Sequence, residues 1–419
     1  MDKIIVIQIA ALGYDFLIEN NNGDEIEGLI FNPIESVFPS LTCTVQATFK
    51  TAELPSKHGI VGNGFYLREL DKVFFWEQSS SLINGRRIWE SFRKSGKKVA
   101  QIFWQQSLGL DSDIILSPAP IHKHQGGMIS DCFSMPTNIY PDLCKSLKRP
   151  FNLLNYWGPL ASVKSSQWIA EATIELMKKE MPDLVLTYLP HLDYELQKSG
   201  PNSNKAKKSF TQLKKILINL IQKSKEYDYN VLIFSDYAMR QVNKTIFPNR
   251  ILREKGLFNT RNVKGMCYPD LYTSSVFAVV DHQIAHIVVR KDLNKSRIVD
   301  IFKNISGIGQ ILSNKEKKKS GLAHSRSGDI ILIAEPNSWF AYPWWDNSDI
   351  PPDFAKHVDI HNKPGYDPCE LFFWSKEIKG SHGISDAESK CCWASDFKLH
   401  KKPKNLLELS REFKKILKT

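Results

Sequence analysis

The sequence predicts an α/β fold: a central, mostly parallel sheet flanked by helices, with a smaller inserted cap. Short apolar runs rich in β-branched residues recur along the 419-residue chain, and stretches of helical periodicity separate them. Such alternation is typical of βαβ units, in which successive strands lie parallel in one sheet. The predicted strands are Ile4–Ile9, 98–104, Leu184–Leu189 and Asn230–Ser235.

The predicted helices and the cap complete this outline. Helical periodicity covers residues 165–179 and 209–224. Residues 249–313 differ from the rest, because a helix that ends at Gly256 precedes an apolar strand and a charged segment. We expect this range to form a small α/β cap on a main core made of residues 1–248 and 314–400.

The last residues, 401–419, predict a basic C-terminal helix. Apolar side chains recur there at helical spacing among lysines, from Leu406 to Leu417. We expect the apolar face of this helix to dock onto the core, and weak contact with a membrane surface is the alternative. No stretch of the sequence has the length and apolarity that predict a transmembrane helix.

Composition limits the expected partners and location. Lysine and arginine together number 56 against 45 aspartate and glutamate residues, a formal net charge of +11. Such a charge attracts phosphate-bearing ligands, nucleic acid and anionic lipid alike, but the lysine clusters accompany no recognition motif, so nucleic-acid binding is not expected. The seven cysteines form no Cys-x-x-Cys pair. We therefore expect neither a zinc ribbon nor a disulfide framework, and a cytoplasmic location.

Two polar residues after the first predicted strand indicate chemistry on phosphate. Thr42 lies in the segment Phe-Pro-Ser-Leu-Thr-Cys-Thr-Val-Gln, and Asn63 ends the segment Leu-Pro-Ser-Lys-His-Gly-Ile-Val-Gly-Asn. A hydroxyl that attacks phosphorus must lose its proton, and a side-chain amide can hold the phosphoryl oxygens. Thr and Asn beside turns also serve as capping residues, so the spacing alone leaves both interpretations open.

Three further candidates are two carboxylates and an imidazole. Asp193 comes shortly after Leu184–Leu189, Asp236 comes directly after Asn230–Ser235, and His382 lies in the segment Gly-Ser-His-Gly. Ligands of open α/β sheets bind beyond the C-terminal ends of the strands, which is where the two aspartates are expected. Carboxylate and imidazole are common ligands of divalent metals.

Other histidine and aspartate residues offer additional metal donors. His282 and His286 share one face on either a strand or a helix, and Asp359 and His361 alternate before a Pro-Gly turn. For each of them a structural, hydrogen-bonded role and metal ligation both remain open. The candidates are His191, Asp281, His282, His286, Asp359 and His361.

Together these segments resemble the nucleotide pyrophosphatase/phosphodiesterase branch of the alkaline-phosphatase superfamily. The resemblance implies an alkaline-phosphatase-like sheet, with Thr42 as the nucleophile and a metal ligand, and Asn63 as a phosphate-binding residue. It also implies a divalent metal, zinc or manganese, held by Asp193, Asp236 and His382. The implied activity is metal-dependent hydrolysis of a small phosphodiester, pyrophosphate or phosphomonoester through a threonine phosphoenzyme.

The chain departs from this family at three metal-ligand positions. Ala10 and Ala11 stand where the family has Asp-Gly, and Gln197 and Tyr237 stand where it has histidine. A bacterial subgroup of nucleotide-pyrophosphatase-like proteins, which the chain also resembles, shares these departures. A standard two-zinc site is therefore not expected, and the alternative function is a catalytically weakened binding or scaffold protein on the same fold. A rebuilt metal site near the two carboxylates would need at least one imidazole from His191, His282, His286 or His361.

Overall fold

The computed structural model describes residues 3–290, 293–356 and 378–418. The strands of its two larger sheets are, in chain order, β1 (Ile4–Ile9), β2 (Asn32–Ile34), β3 (Val99–Ile102), β4 (Ile114–Pro118), β5 (Cys132–Met135), β6 (Leu184–Leu189), β7 (Asn230–Ser235), β8 (Val276–Asp281), β9 (Ile284–Val289), β10 (Ile308–Leu312), β11 (Ile330–Ala334) and β12 (Cys391–Ser395). The α-helices are α1 (Tyr14–Asn21), α2 (Thr42–Thr51), α3 (Pro55–His58), α4 (Glu90–Lys94), α5 (Ile139–Leu147), α6 (Val163–Glu180), α7 (His191–Ser199), α8 (Asn204–Glu226), α9 (Pro248–Glu254), α10 (Lys295–Lys303), α11 (Asn314–Lys319) and α12 (Leu406–Ile416). Short two-stranded pairs join Glu25–Ile26 to Leu29–Ile30, Gly64–Leu67 to Lys72–Phe75, Ile121–His122 to Met128–Ile129, Arg240–Gln241 to Gly380–Ser381, Lys244–Ile246 to Ser338–Phe340, and Asn259–Val263 to Met266–Asp270.

The main sheet has eight strands in the spatial order β5-β4-β3-β6-β1-β7-β12-β2. Its five central strands, from β4 to β7, run parallel to one another. The flanking strands β5, β12 and β2 pair antiparallel. The α/β fold with a mostly parallel central sheet is thereby confirmed.

Helices cover both faces of this sheet, which explains why its central strand β1 is apolar at every position but Gln8, whose buried side chain donates to Asp236. All six residues of β1 are buried. Ile5, Ile7 and Ile9 belong to the core under α6 and α8, whereas Ile4 and Val6 belong to the core under α2 and α12. A strand buried on both faces has no reason to alternate with polar residues. The two helices expected at residues 165–179 and 209–224 lie within α6 and α8.

A second, antiparallel sheet in the order β8-β9-β11-β10 packs its own apolar core. Its last strand along the chain, β11, lies beyond residue 313, where the sequence analysis ended the cap. The domain boundaries themselves stay a prediction. The turn between β8 and β9 reaches the segment that carries His382, because Gln283 N–H donates to the His382 carbonyl at 2.9 Å.

The C-terminal helix α12 packs against α2. Phe413 stacks on Phe49 with ring centroids 5.5 Å apart, and the Ser410 hydroxyl donates to the Phe49 carbonyl at 2.6 Å. In the part of the chain that the structure describes, no helix combines the length and apolarity needed to cross a membrane. None of the described cysteines, which are all but Cys369, forms a disulfide with another described cysteine.

Candidate active site

Thr42 begins helix α2 at the C-terminal edge of the main sheet. Its side chain is buried, and its hydroxyl lies 3.5 Å from Oδ2 of Asp236, the residue that follows β7. The Tyr188 and Tyr237 hydroxyls also lie within hydrogen-bonding reach of Thr42. The structure therefore brings together a hydroxyl and a carboxylate that are separated by 194 positions along the chain.

The Asp236 carboxyl is fully buried and surrounded by neutral donors. Oδ2 accepts a hydrogen bond from Gln8 Nε2, while Oδ1 accepts from the backbone N–H groups of Ala11 and Tyr237, all at 3.0 Å. Burial raises the pKa of Asp236 to about 8, and the nearby Asp193 charge acts in the same direction, while the hydrogen bonds oppose both. A buried carboxyl held in this way is a stronger proton acceptor than an exposed one.

Asp193, Tyr237 and His382 form a second group at the same cavity. The Tyr237 hydroxyl donates to Asp193 Oδ1 at 3.1 Å, and the Tyr237 ring stacks on the His382 ring with centroids 3.5 Å apart. His382 Nδ1 lies 2.8 Å from the Ser40 carbonyl. A carbonyl can accept but not donate, so Nδ1 carries the hydrogen and Nε2 is the free lone pair of the neutral ring. Burial, reinforced by His282, keeps the pKa of His382 well below its usual value.

Asn63 is held between helix α2 and the second sheet. Its Oδ1 accepts from the Cys43 N–H at 3.0 Å, and its Nδ2 donates to Asp281 Oδ1 at 3.1 Å. The Asn63 backbone N–H donates to the other oxygen, Asp281 Oδ2, at 2.6 Å. Asp281, expected as a possible metal donor, instead binds Asn63 through both carboxylate oxygens.

The remaining histidine candidates have different environments. His282 lines the same cavity as Thr42, and its ring lies 4.0 Å from that of His382. His191 and His286 do not line this cavity. His191 Nε2 is 3.3 Å from the Ser209 carbonyl, on the side of helix α8.

Both ring nitrogens of His286 are engaged by the backbone. Nδ1 accepts from the Gly328 N–H at 3.1 Å, and Nε2 lies 3.3 Å from the Val61 carbonyl. Burial lowers the pKa of His286 to about 4, so this ring is neutral. Its hydrogen bonds to the backbone give it a structural role in the interior of the second sheet. Asp359 and His361 lie outside the described residues.

The cavity wall is mostly aromatic, and sequence reasoning missed most of it. Tyr188 and Tyr194, for example, lie close to Asp193 in the sequence and carried no signal of their own. None of the described residues that line the cavity is a lysine or an arginine. The lining residues are Thr42, Asn63, Trp76, Gln105, Tyr156, Trp157, Tyr188, Pro190, Asp193, Tyr194, Gln197, Tyr237, His282 and His382.

The described donors do not fit a bound divalent metal. Within residues 3–290, 293–356 and 378–418, no three His, Cys, Asp or Glu side chains converge as a metal requires. Asp236 already accepts three hydrogen bonds from neutral groups, and a tyrosine hydroxyl occupies one oxygen of Asp193. Tyr237 thus fills space between Asp193 and His382, the two side chains expected to share a metal.

A family model described as type I phosphodiesterase/nucleotide pyrophosphatase matches residues 24–367, most of the chain. The chain belongs to this family. Type I phosphodiesterases are phosphoric ester hydrolases, and members of the family use divalent metals. The resemblance noted in the sequence segments is thereby confirmed.

Several solved structures share the fold of this family member. Phosphonoacetate hydrolase from Sinorhizobium meliloti 1021, in complex with phosphonoformate, is 16% identical with a TM-score of 0.66, and the match covers 100% of this chain and 96% of that one. Murine ectonucleotide pyrophosphatase/phosphodiesterase 5 is 16% identical with a TM-score of 0.63, covering 99% and 95%. The human counterpart is 15% identical with a TM-score of 0.62, again covering 99% and 95%.

Proposed function

We propose that this chain hydrolyses a small phosphate ester, with the Thr42 hydroxyl as nucleophile and Asp236 as the group that receives its proton. The observation that carries the proposal is the 3.5 Å separation of Thr42 Oγ1 from Asp236 Oδ2 at the start of helix α2. A nucleophile beside a base is the arrangement that covalent catalysis needs, and the distance can shorten when substrate binds.

The reaction would proceed in two displacements. The Thr42 oxygen attacks phosphorus and its proton passes to Asp236; as the bond from phosphorus to the ester oxygen breaks, that oxygen takes the proton from Asp236 and leaves as the alcohol or phosphate leaving group. Water then attacks the phosphothreonine and gives one proton to Asp236, which passes it to the Thr42 oxygen as the bond from that oxygen to phosphorus breaks and inorganic phosphate or a phosphate monoester departs. Throughout, the Asn63 amide and the positive N-terminal end of helix α2 stabilise the phosphoryl oxygens.

A solved relative supports the choice of nucleophile. An inactive variant of the murine phosphodiesterase, in which a threonine is replaced by alanine, binds AMP. Thr42 lies in the segment of this chain that resembles the family's threonine segment, and its hydroxyl faces the cavity. A nucleotide-like ester is therefore a sensible member of the first substrate panel.

The zinc or manganese expected from the resemblance is assigned no step in this reaction. The donor set of the described residues does not fit it, as argued above for Asp193 and Asp236. A divalent metal would supply Lewis-acid stabilisation of the phosphoryl oxygens, and here that role is proposed for Asn63 and the helix N-terminus. Dialysis of the protein against EDTA, with the melting temperature and the hydrolysis rate as readouts, tests this choice.

The test compares Thr42→Ala with Thr44→Ala on aryl phosphate monoesters, aryl phosphodiesters and dinucleotide-type pyrophosphates. Thr44 is a matched control, because it lies on the same helix and its hydroxyl has no hydrogen-bond partner among the residues that the structure describes. We expect Thr42→Ala to abolish turnover, Thr44→Ala to retain it, and Asp236→Asn to lose about 10²–10⁴-fold in kcat.

Two results would contradict the proposal. Equal rates for wild type and Thr42→Ala would exclude the threonine nucleophile. No turnover of any ester by the wild type, with or without added metal, would instead favour a binding protein on this fold. Trapping of phosphothreonine at Thr42 by acid quench and mass spectrometry would support the covalent step directly.

A further inference from the structure

We infer that Asp281, which ends strand β8 in the second sheet, is a positioning residue that aims the Asn63 amide at the phosphoryl group. The inference rests on the proposed function, because it concerns the same cavity. It assigns the second sheet a part in the site that neither the family match nor the solved relatives describe. Asp281 does not line the cavity itself and acts through Asn63.

The hydrogen bonds fix which way the Asn63 amide points. A carboxylate can only accept hydrogen bonds, so Asn63 must turn its NH2 group toward Asp281. A backbone N–H can only donate, so the carbonyl oxygen of the Asn63 side chain must face Cys43 at the start of helix α2. The reversed amide would place donor against donor and acceptor against acceptor. One of the two Nδ2 hydrogens is used by Asp281, which leaves the other for a ligand in the cavity.

Asp281 is suited to this task because both of its oxygens bind the same residue. They accept from the Asn63 backbone at 2.6 Å and from the side chain at 3.1 Å, and Asp281 is 1% exposed. The approach depends on Gly62, since a Cβ at that position would lie 2.9 Å from Asp281 Oδ2. Charged hydrogen bonds shielded from water are strong and directional, so Asn63 is held before any ligand arrives.

Hydrogen bonds from the backbone around Asp281 hold the hairpin turn against the His382 segment and the strand Ser338–Phe340. Gln283 N–H donates to the His382 carbonyl at 2.9 Å, and Phe340 N–H donates to the His282 carbonyl at 2.7 Å. The Gln283 side chain donates to the Pro336 and Ser338 carbonyls, each at 3.1 Å. The turn therefore cannot shift without breaking bonds on both sides, which makes Asp281 a firm support for Asn63.

Replacement of Asp281 by asparagine changes the hydrogen bonding of this side chain and keeps its volume nearly the same. Asn63 presents two donors to position 281, and an asparagine there offers one acceptor oxygen in place of two. One Asn63 donor then faces a second donor, and the amide orientation is no longer enforced. We expect Asp281→Asn to weaken binding of orthovanadate and to lower kcat for an aryl phosphate by about 10–100-fold.

A double-mutant cycle with Asn63→Ala tests the coupling. If Asp281 acts through Asn63, Asp281→Asn should cause its loss in the wild-type background and less than about twofold further loss in the Asn63→Ala background. The dissociation constant of orthovanadate, measured by calorimetry on the full chain, is the primary readout, and kcat and KM are measured alongside. Losses that multiply independently would overturn the inference, as would a wild-type protein that does not bind orthovanadate.

Two further variants separate positioning from folding. Asp329→Asn removes another carboxylate of the second sheet, one that pairs with Arg68 and Lys295, and it should leave orthovanadate affinity unchanged. Gly62→Ala should reproduce part of the Asp281→Asn loss, again only when Asn63 is present, and it keeps the test decisive if Asp281→Asn does not fold. Orthovanadate binding does not require turnover by Thr42. Failure of the proposed hydrolysis with intact coupling would therefore leave this inference standing.

Discussion

Lys50 makes the stability of this fold depend on pH between 7 and 9. It is fully buried on helix α2, and its Nζ donates to the Gln105 and Gln106 carbonyls at 2.6 and 3.0 Å. Burial lowers the pKa of Lys50 from 10.5 to about 7. Because α2 also carries Thr42 and Gln105 lines the cavity, this lysine connects the helix to the cavity wall.

The sign of the effect follows from proton binding. Between pH 7 and 10.5 the unfolded chain keeps a proton on Lys50 that the folded protein releases, so the free energy of unfolding rises with pH across this range. This contribution is complete above pH 10.5 and is lost as the pH falls toward 7. One pKa unit corresponds to about 1.4 kcal/mol, so the Lys50 contribution changes by about 2 kcal/mol between pH 7 and pH 9.

The assay is urea unfolding at pH 7, 8 and 9, followed by tryptophan fluorescence, for wild type, Lys50→Met and Lys57→Met. Lys50→Met leaves two carbonyls without their donor, but that loss is the same at each pH, so the slope isolates the titration. Between pH 7 and pH 9, we expect the free energy of unfolding to rise by about 2 kcal/mol more for wild type than for Lys50→Met. Lys57→Met replaces an exposed lysine and keeps Lys50, so this variant should follow the wild-type pH curve. Parallel pH curves for wild type and Lys50→Met would refute the reasoning.

Three more outcomes are expected. Tyr237→Phe removes the hydroxyl that donates to Asp193 and should lower the free energy of unfolding by about 1–2 kcal/mol in urea titrations; an unchanged value would show that the bond contributes nothing. Dialysis against EDTA should leave the melting temperature and the hydrolysis rate unchanged, since no described donors converge on a metal position; a zinc-dependent rise in melting temperature that Asp193→Asn abolishes would contradict this. Phe413→Ala opens a cavity where α12 packs on Phe49 and should cost about 3–5 kcal/mol; wild-type stability of that variant would show that the helix docks weakly.

The sequence by itself determined four of the eight strands of the main sheet, namely β1, β3, β6 and β7, and the polar segments that follow them. Strand β1 is apolar at every position but Gln8 because both of its faces are buried, and the periodicity of α6 and α8 reflects the single face that each helix turns to the sheet. Asp236 could be placed at the sheet edge because it directly follows β7. These are local properties of the chain, so the pattern of neighbouring residues is enough to predict them.

Only the tertiary structure decided which side chains meet, because partners far apart in the chain leave no local pattern. Asp281 and Asn63 are 218 positions apart, and nothing in the spacing of the Asp281 segment distinguishes a metal ligand from an acceptor for an amide. The rings of His191 and His286 bind backbone carbonyls in the interior, where burial favours the neutral form. Tyr237 meets Asp193 because two separate strands, β6 and β7, both end at that edge, a contact that depends on how the sheet is assembled.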